Sequence, residues 1–182
     1  MLNYILVGLA VLIVIFLIKV FSKSTVFKIS RSRIIEAPAE VIFEQINNSR
    51  NFNTWNPWMR ADPEAEIIYE GPESGVGASY SWNGKKTGMG SDTIVESIPY
   101  EKVMVKLEFI KPFASTNKAG FTLTPVNNAT EVTWSMWWQR NFLMKLMHTV
   151  FNVEKMMNSS FDSGLENLNQ IIMKNTQNQE GK

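Results

Sequence analysis

The stretch KVMVKLEFIKPFASTNKAGFTLTPVNNATEVTWSMWW, residues 102–138, decides the fold. Apolar side chains recur in it at every second position: Val103, Val105, Leu107 and Phe109, then Phe121 and Leu123, then Val132, Trp134, Met136 and Trp138. Successive side chains of a strand point to opposite faces of a sheet, so this period of two predicts three strands with one strongly apolar face. The turn-forming cluster VNNA separates the last two.

The same period continues on the N-terminal side of this stretch. AEIIYE, ASYSWNG and SDTIVESI are predicted to be three more strands, separated by the turn-forming clusters GPESGVG, NGKKTG and IPYE. VFKISRSRIIEA is predicted to be the first strand. Arg31 and Arg33 share the parity of Phe27 and Ile29, so the sequence does not decide which face of this strand points inward.

Two short helices are expected between the first and second strands. AEVIFEQI follows Pro38, which is tolerated at a helix start. SRNFNTWNPWM is predicted to be a second short helix that ends before Pro57, since the residue before a proline disfavours the helical conformation.

The last forty residues change to a helical period. Spacings of four, four, four, three and four separate Val153, Met157, Phe161, Leu165, Leu168 and Ile172. This stripe predicts an amphipathic helix of about six turns. The predicted fold is therefore α+β: a curved seven-stranded antiparallel sheet wrapped around a long C-terminal helix. A bent sheet cannot close its packing everywhere against one helix, so we expect a cavity between them.

An ordered series of short motifs resembles a known superfamily. The motifs of this series are Ala37-Pro38, Trp55-Asn56-Pro57-Trp58, Gly75 to Gly77, Trp82, Thr130 to Trp134, and Gly164-Leu165. The series is similar to the SRPBCC superfamily, in the polyketide cyclase/dehydratase and lipid-transport branch, which is related to the START domains and the major pollen allergens. The resemblance implies a helix-grip fold with a hydrophobic pocket. It implies no single reaction, because members bind lipids, sterols, quinones or aromatic polyketides.

The N-terminal segment LNYILVGLAVLIVIFLI, residues 2–18, carries no charge. A helix over residues 2–21 would be about 30 Å long, which matches the hydrocarbon core of a bilayer. A cleaved secretory signal, the alternative, needs a basic region before the apolar run and a small-residue cleavage site after it. Neither is present. The sequence therefore predicts a transmembrane anchor over 1–22, a short linker over 23–26, an SRPBCC/START-like domain over 27–174 and a polar tail over 175–182.

Charge is distributed unevenly along the chain. The 182 residues carry 18 basic and 17 acidic side chains, a net charge of +1 that would not attract nucleic acid. Five of the basic residues precede Glu36, and the remaining 13 against 17 acids give the rest of the chain −4. By the positive-inside rule, this basic collar predicts a single-pass protein with its soluble domain on the cytoplasmic side.

The scarcity of reactive side chains favours binding over catalysis. The chain has no Cys and one His, His148, which excludes a disulfide scaffold, a thiolate nucleophile and a Cys-ligated metal. No metal site or cofactor is expected. Weak catalytic candidates are His148 and two carboxylates, Asp92 and Glu96, which share strand parity with Ile94 and so could enter the pocket. Outward-facing carboxylates and a solvent-facing or capping His148 explain the same pattern.

Aromatic and methionine side chains on the predicted inner faces are the candidate ligand-binding residues. They are Trp82, Phe109, Phe121, Trp134, Met136, Trp138, Met157 and Phe161. The alternative is that these side chains fill a solid core.

Three functions fit the sequence: a membrane-tethered binding domain for a hydrophobic small molecule or lipid, a cyclase/dehydratase-type enzyme, and a membrane-anchored adaptor for a partner protein. A cavity of about 300 Å³ or more would favour a ligand over a partner protein.

Overall fold

The computed structural model describes residues 1–180, apart from the side chains of Leu2, Leu143, His148 and residues 176–180. One seven-stranded sheet, with the strand order β1-β7-β6-β5-β4-β3-β2, forms the body of the protein. Every neighbouring pair is antiparallel, as predicted. The strands are β1 (Val26–Ile35), β2 (Glu66–Glu70), β3 (Ser79–Gly84), β4 (Gly88–Ile98), β5 (Lys102–Lys111), β6 (Ser115–Val126) and β7 (Ala129–Gln139).

Six helices accompany this sheet in the described part of the chain: α1 (Leu2–Phe21), α2 (Ala39–Asn47), α3 (Ser49–Trp55), α4 (Pro57–Ala61), α5 (Phe142–Val150) and α6 (Val153–Glu180). Three short helices follow β1, where two were predicted. The helix over the SRNFNTW segment ends at Trp55, before Pro57, as expected. The Asn56 side chain then accepts a hydrogen bond from the Trp58 N–H and starts a further helical turn, with Pro57 at its first position.

The long helix α6 packs on the concave face of the sheet through its middle turns. Phe161, Leu165, Leu168 and Ile172 of its predicted stripe are buried, whereas Val153 and Met157 at its start are half-exposed. At Gly164 an added Cβ would lie 2.6 Å from the Trp134 ring, so glycine allows the helix to approach β7 closely.

Strand β1 keeps one inward face along its whole length. Phe27 and Ile29 are buried, and the next two side chains of the same parity, Arg31 and Arg33, reach α6. Arg31 donates to both carboxylate oxygens of Asp162, at 2.7 and 2.9 Å, and Arg33 forms an ion pair with Glu166. The two arginines therefore face α6 together with Phe27 and Ile29, as their shared parity requires. They can do so because they pair with carboxylates of the helix at the edge of the core.

Strand register places the connections at two ends of the sheet. Val26 at the start of β1 pairs with Gln139 at the end of β7, so α1 joins the domain at this end. The β3–β4 hairpin, where Gly84 pairs with Gly88, and the β5–β6 hairpin lie at the same end. We call this the α1 end. The opposite, far end carries the β2–β3, β4–β5 and β6–β7 connections.

Helix α1 is exposed along almost its entire length. Its segment Asn3–Phe21 has a mean hydropathy of 2.9 and is long and apolar enough to cross a membrane, a property that signal sequences share. Its last turn meets the domain: Val20 is buried, and the Phe21 ring lies 5.2 Å from the ring of Phe142 on α5. The Arg140 guanidinium donates to the Ser24 carbonyl at 2.8 and 3.2 Å, which fixes the linker to the end of β7.

Candidate functional site

A cavity of about 370 Å³ lies between the concave face of the sheet, the short helices and the start of α6. Strands β3 to β7 supply one wall, and α2 to α4 with α6 supply the other. The volume is in the usual range for a small-molecule site. The expected gap between sheet and helix is therefore present, and it lies beside the half-exposed first turns of α6.

Most of the predicted ligand-binding side chains meet at this cavity. The seven that line it are Trp82, Phe109, Phe121, Trp134, Met136, Met157 and Phe161. Trp138 lies elsewhere: its ring packs 4.4 Å from that of Phe27, its pairing partner on β1. Its predicted place in the lining is corrected, because strand parity gives the face a side chain occupies but not how far along the strand the cavity reaches: Trp134 and Met136 of the same strand line it, and Trp138 at the strand end does not.

Contacts between rings hold the lining in place. The Trp134 ring stacks between Phe121, at 4.9 Å, and Phe161, at 4.4 Å. The Trp82 ring meets Phe109 edge-on at 5.8 Å, and its Nε1 donates to the Thr87 carbonyl. Such pairs add to the stability gained from burial, so this wall is preorganised.

Partly exposed lining residues locate the mouth of the cavity at the α1 end. These residues are Ala61, the last residue of α4, Lys86 and Thr87 in the β3–β4 hairpin, and Met157 in the first turns of α6. Lining residues nearer the far end, such as Ile94, are buried. The cavity therefore opens toward the end of the domain at which α1 enters.

A buried carboxylate holds the hairpin at the mouth. Asp62 accepts hydrogen bonds from the backbone N–H groups of Lys86, at 2.8 Å, and Thr87, at 3.0 Å, and from the Thr87 hydroxyl at 3.0 Å. These hydrogen bonds lower the pKa of Asp62. The Lys86 ammonium donates to the Ala61 carbonyl at 3.0 Å, which joins the hairpin to α4.

Of the three weak catalytic candidates, the structure places Asp92 in the cavity. It is 8% exposed and lies on the inward parity of β4, between Gly90 and Ile94. In the described part of the chain, no group donates a hydrogen bond to its carboxyl. Burial raises the pKa of Asp92 from 3.8 to about 7, because the charged form loses its hydration.

Of the two alternatives for Glu96, the structure shows the outward-facing one, and Glu96 does not line the cavity. A β-bulge lies between Ile94, which pairs with Val105, and Glu96, which pairs with Met104. The extra residue reverses the parity of the strand, and Glu96 instead forms an ion pair with Lys102 at 2.9 Å. The third candidate, the His148 side chain, lies outside the described residues.

Two polar residues of the site escaped the sequence interpretation. Tyr80 pairs with Asp92 across β3 and β4, and its hydroxyl accepts a hydrogen bond from Asn56 at 3.3 Å. Burial, together with the nearby Asp92 charge, raises the pKa of Tyr80 well above its ordinary value. Tyr80 shares strand parity with Trp82, which could have identified it. Asn56 lies in a loop between helices, where the sequence carries no such signal.

Comparisons with known proteins agree with this architecture. The profile of the family described as "Polyketide cyclase / dehydrase and lipid transport" matches residues 26–172. No curated protein sequence matches the chain significantly.

Solved structures resemble the chain in fold. Protein MLL2253 from Mesorhizobium loti superposes with a TM-score of 0.60 at 14% identity, covering 82% of this chain and 98% of that one. Protein SA2116 from Staphylococcus aureus, described as of unknown function, gives 0.62 at 12% identity, covering 84% and 96%. Ara h 8.0201 gives 0.54 at 9% identity, covering 82% and 99%. At these identities the likeness concerns the fold alone.

Proposed function

The chain belongs to the polyketide cyclase / dehydrase and lipid transport family, and we propose that it binds a hydrophobic small molecule or lipid while α1 tethers it to a membrane. One observation carries the proposal: a cavity of about 370 Å³ whose wall is built mainly of apolar and aromatic side chains. An apolar ligand that leaves water for such a site gains about 25 cal/mol for each Å² of apolar surface it buries.

The ligand-binding role falls to the side chains that line the cavity. Trp82, Phe109, Phe121 and Trp134 form the sheet side, and Phe161 faces them from α6. Phe52, Met59 and Ile46 complete the opposite wall. Because ring contacts within the protein hold the aromatic wall, little ordering is needed on binding.

The membrane tether is supported by the exposure and composition of α1. An exposed apolar helix of 20 residues is costly in water and matches the thickness of a bilayer. Lys19 lies in its last turn, where it would meet lipid headgroups, an attraction of about 1 kcal/mol for each basic residue near an anionic surface. The basic collar that follows favours a cytoplasmic domain.

The position of the mouth couples the tether to the cavity. Arg140 holds the linker against β7, so the α1 end of the domain stays close to the bilayer. The mouth, beside Lys86 and Met157, lies at this same end. A ligand dissolved in the membrane would then reach the cavity over a short path and at a raised local concentration.

The proposal is tested by what the full-length protein carries. The protein would be purified from membranes in lipid nanodiscs, and its bound molecules identified by native mass spectrometry and solvent extraction. We expect a hydrophobic molecule in the wild-type protein and its loss in Val105→Trp, which fills the cavity from the sheet side. The matched control, Val95→Trp, changes an exposed position on the neighbouring strand. A wild-type protein that carries no ligand and takes up no added hydrocarbon contradicts the proposal.

A second candidate function is an enzyme that moves a proton inside the cavity. The observation in its favour is Asp92, a buried carboxyl whose pKa of about 7 suits proton exchange near neutral pH. Asp92→Asn would then abolish turnover of a bound substrate while leaving its binding intact. The adaptor hypothesis predicted a solid core, and the cavity disfavours it.

A further inference from the structure

Asp92 is a largely buried carboxyl directed into the cavity. It is 8% exposed and lines the cavity, and no backbone or side-chain group of the described residues donates a hydrogen bond to it. Its oxygens reach the cavity space, since no fully enclosed side-chain oxygen of the described residues lacks a partner. Buried polar groups in folded proteins are almost always hydrogen-bonded, and leaving one unpaired costs free energy. A partner supplied by the ligand would remove that cost.

The other polar groups of the lining are already engaged or lack directional preference. Lys86, the one cation among the described lining residues, donates to the Ala61 carbonyl at the mouth. The Asn56 amide is bonded on both sides, to the Trp58 N–H and to the Tyr80 hydroxyl. The Trp82 N–H bonds a backbone carbonyl. Ser49 and Tyr80 also line the cavity, but a hydroxyl can donate or accept and therefore selects no ligand class.

Elements packed around Asp92 bring no positive charge to it. Tyr80 faces it from β3 and Leu107 is its pairing partner on β5, while Gly90 and Ile94 flank it on its own strand. The Asp92 carboxyl is therefore a hydrogen-bond acceptor that is not paired with any cation of the described cavity lining.

We propose that the ligand is an amphiphile with a hydrogen-bond donor, a hydroxyl or an amine, on an apolar body, and that Asp92 accepts this hydrogen bond inside the cavity. The inference rests on the proposed ligand-binding function. A hydroxyl can donate to the carboxyl, and a protonated amine adds the attraction of opposite charges. Above pH 7, where Asp92 is charged, a ligand carboxylate would place a like charge beside it in an apolar site, which is unfavourable. Fatty acids are therefore disfavoured in this orientation at that pH, although they share the apolar body.

Four probes with the same alkyl chain test the proposal: dodecane, dodecan-1-ol, dodecylamine and dodecanoate. Dissociation constants would be measured at pH 8, where Asp92 is charged, with the full-length protein in phosphatidylcholine nanodiscs. The signal is the fluorescence of the cavity tryptophans, and empty nanodiscs correct for partitioning. The variants are Asp92→Leu, which removes the acceptor, and Asp92→Asn, which keeps an acceptor but no charge. Asp162→Leu, at the exposed ion pair with Arg31, is the matched control.

We expect Asp92→Leu to weaken dodecan-1-ol and dodecylamine at least about tenfold, the effect of one hydrogen bond to a charged group. Dodecane should be unchanged or bind more tightly. Asp92→Asn should keep the alcohol and lose the amine, and the control should match the wild type. Unchanged alcohol and amine affinities in Asp92→Leu, or a wild-type preference for dodecanoate, overturn the inference while leaving the binding function intact. Failure of all four probes, dodecane included, overturns the binding function and this inference with it.

Discussion

Replacing the buried Asp92 carboxyl by an amide should change how the stability of the protein depends on pH. Burial raises the pKa of Asp92 in the folded state from its ordinary value of 3.8 to about 7. At about 1.36 kcal/mol for each pKa unit, this difference corresponds to about 4 kcal/mol. Because the folded pKa is the higher one, the folded state binds the proton more tightly than the unfolded state.

The sign follows from this linkage. Below pH 4 the carboxyl is neutral in both states and imposes no penalty. Between pH 4 and pH 7 the unfolded state ionises while the folded state holds its proton, so the free energy of unfolding falls as pH rises. Above pH 7 the loss is complete, at about 4 kcal/mol. Asp92→Asn cannot ionise, so we expect it to gain stability relative to the wild type over this interval.

The assay is denaturant unfolding of the full-length protein in nanodiscs at pH 5 and pH 8, followed by tryptophan fluorescence. The quantity of interest is the difference in the free energy of unfolding between Asp92→Asn and wild type, which should be a few kcal/mol more favourable to the variant at pH 8. Asp162→Asn, on the exposed ion pair with Arg31, controls for loss of any aspartate. Equal differences at the two pH values would refute the reasoning, since a carboxyl with a normal pKa contributes no such trend.

Three further predictions concern the packing, the membrane and the ligand. Gly164→Ala should destabilise the domain by about 1–3 kcal/mol in thermal unfolding, because its Cβ would lie 2.6 Å from an aromatic ring, whereas Gly8→Ala, with no neighbour within 4 Å, should change little. The chain has no natural Cys, so a dye on Phe113→Cys, in the exposed β5–β6 hairpin at the α1 end, should be quenched by spin-labelled lipids in proteoliposomes. The same dye on Val76→Cys, equally apolar and exposed but at the far end, should remain unquenched, and quenching at both sites would contradict the proposed orientation. Each methylene added to an alkyl ligand should tighten binding about fourfold until the cavity is full, as expected for about 0.8 kcal/mol per buried CH₂, and a flat series in the titration would place the ligand elsewhere.

Local alternation in the sequence was sufficient to predict the sheet and most of the cavity wall. Trp82, Phe121 and Trp134 were assigned to the inner face by parity alone, and the structure places all three in the lining. Parity is a property of neighbouring residues along one strand, so it holds wherever the strand is regular. It does not give the extent of the cavity along a strand: Trp138 has the right parity but lies at the end of β7, against Phe27 and away from the gap.

Glu96 shows a second kind of failure. Its side chain would face the cavity if β4 were regular, but the bulge after Ile94 inserts one residue and turns Glu96 outward. No residue type in TIVES demands a bulge, because the irregularity arises from how β4 fits β5. Asp92 lies before the bulge and keeps its predicted face. The sequence could therefore name two equivalent carboxylates, but only the pairing of the strands separates the buried one from the exposed one.

The position of the cavity follows from where α6 is fixed to the sheet. Its middle turns are held by the ion pairs of Asp162 and Glu166 with β1 and by the close approach at Gly164. Exposed ion pairs contribute little free energy, so burial of Phe161 and the following stripe provides most of the attachment. The first turns, around Met157, are half-exposed and lie over the gap. Because α5 connects these turns to β7, beside the end of α1, the same connectivity that leaves the gap open also directs it toward the proposed membrane anchor.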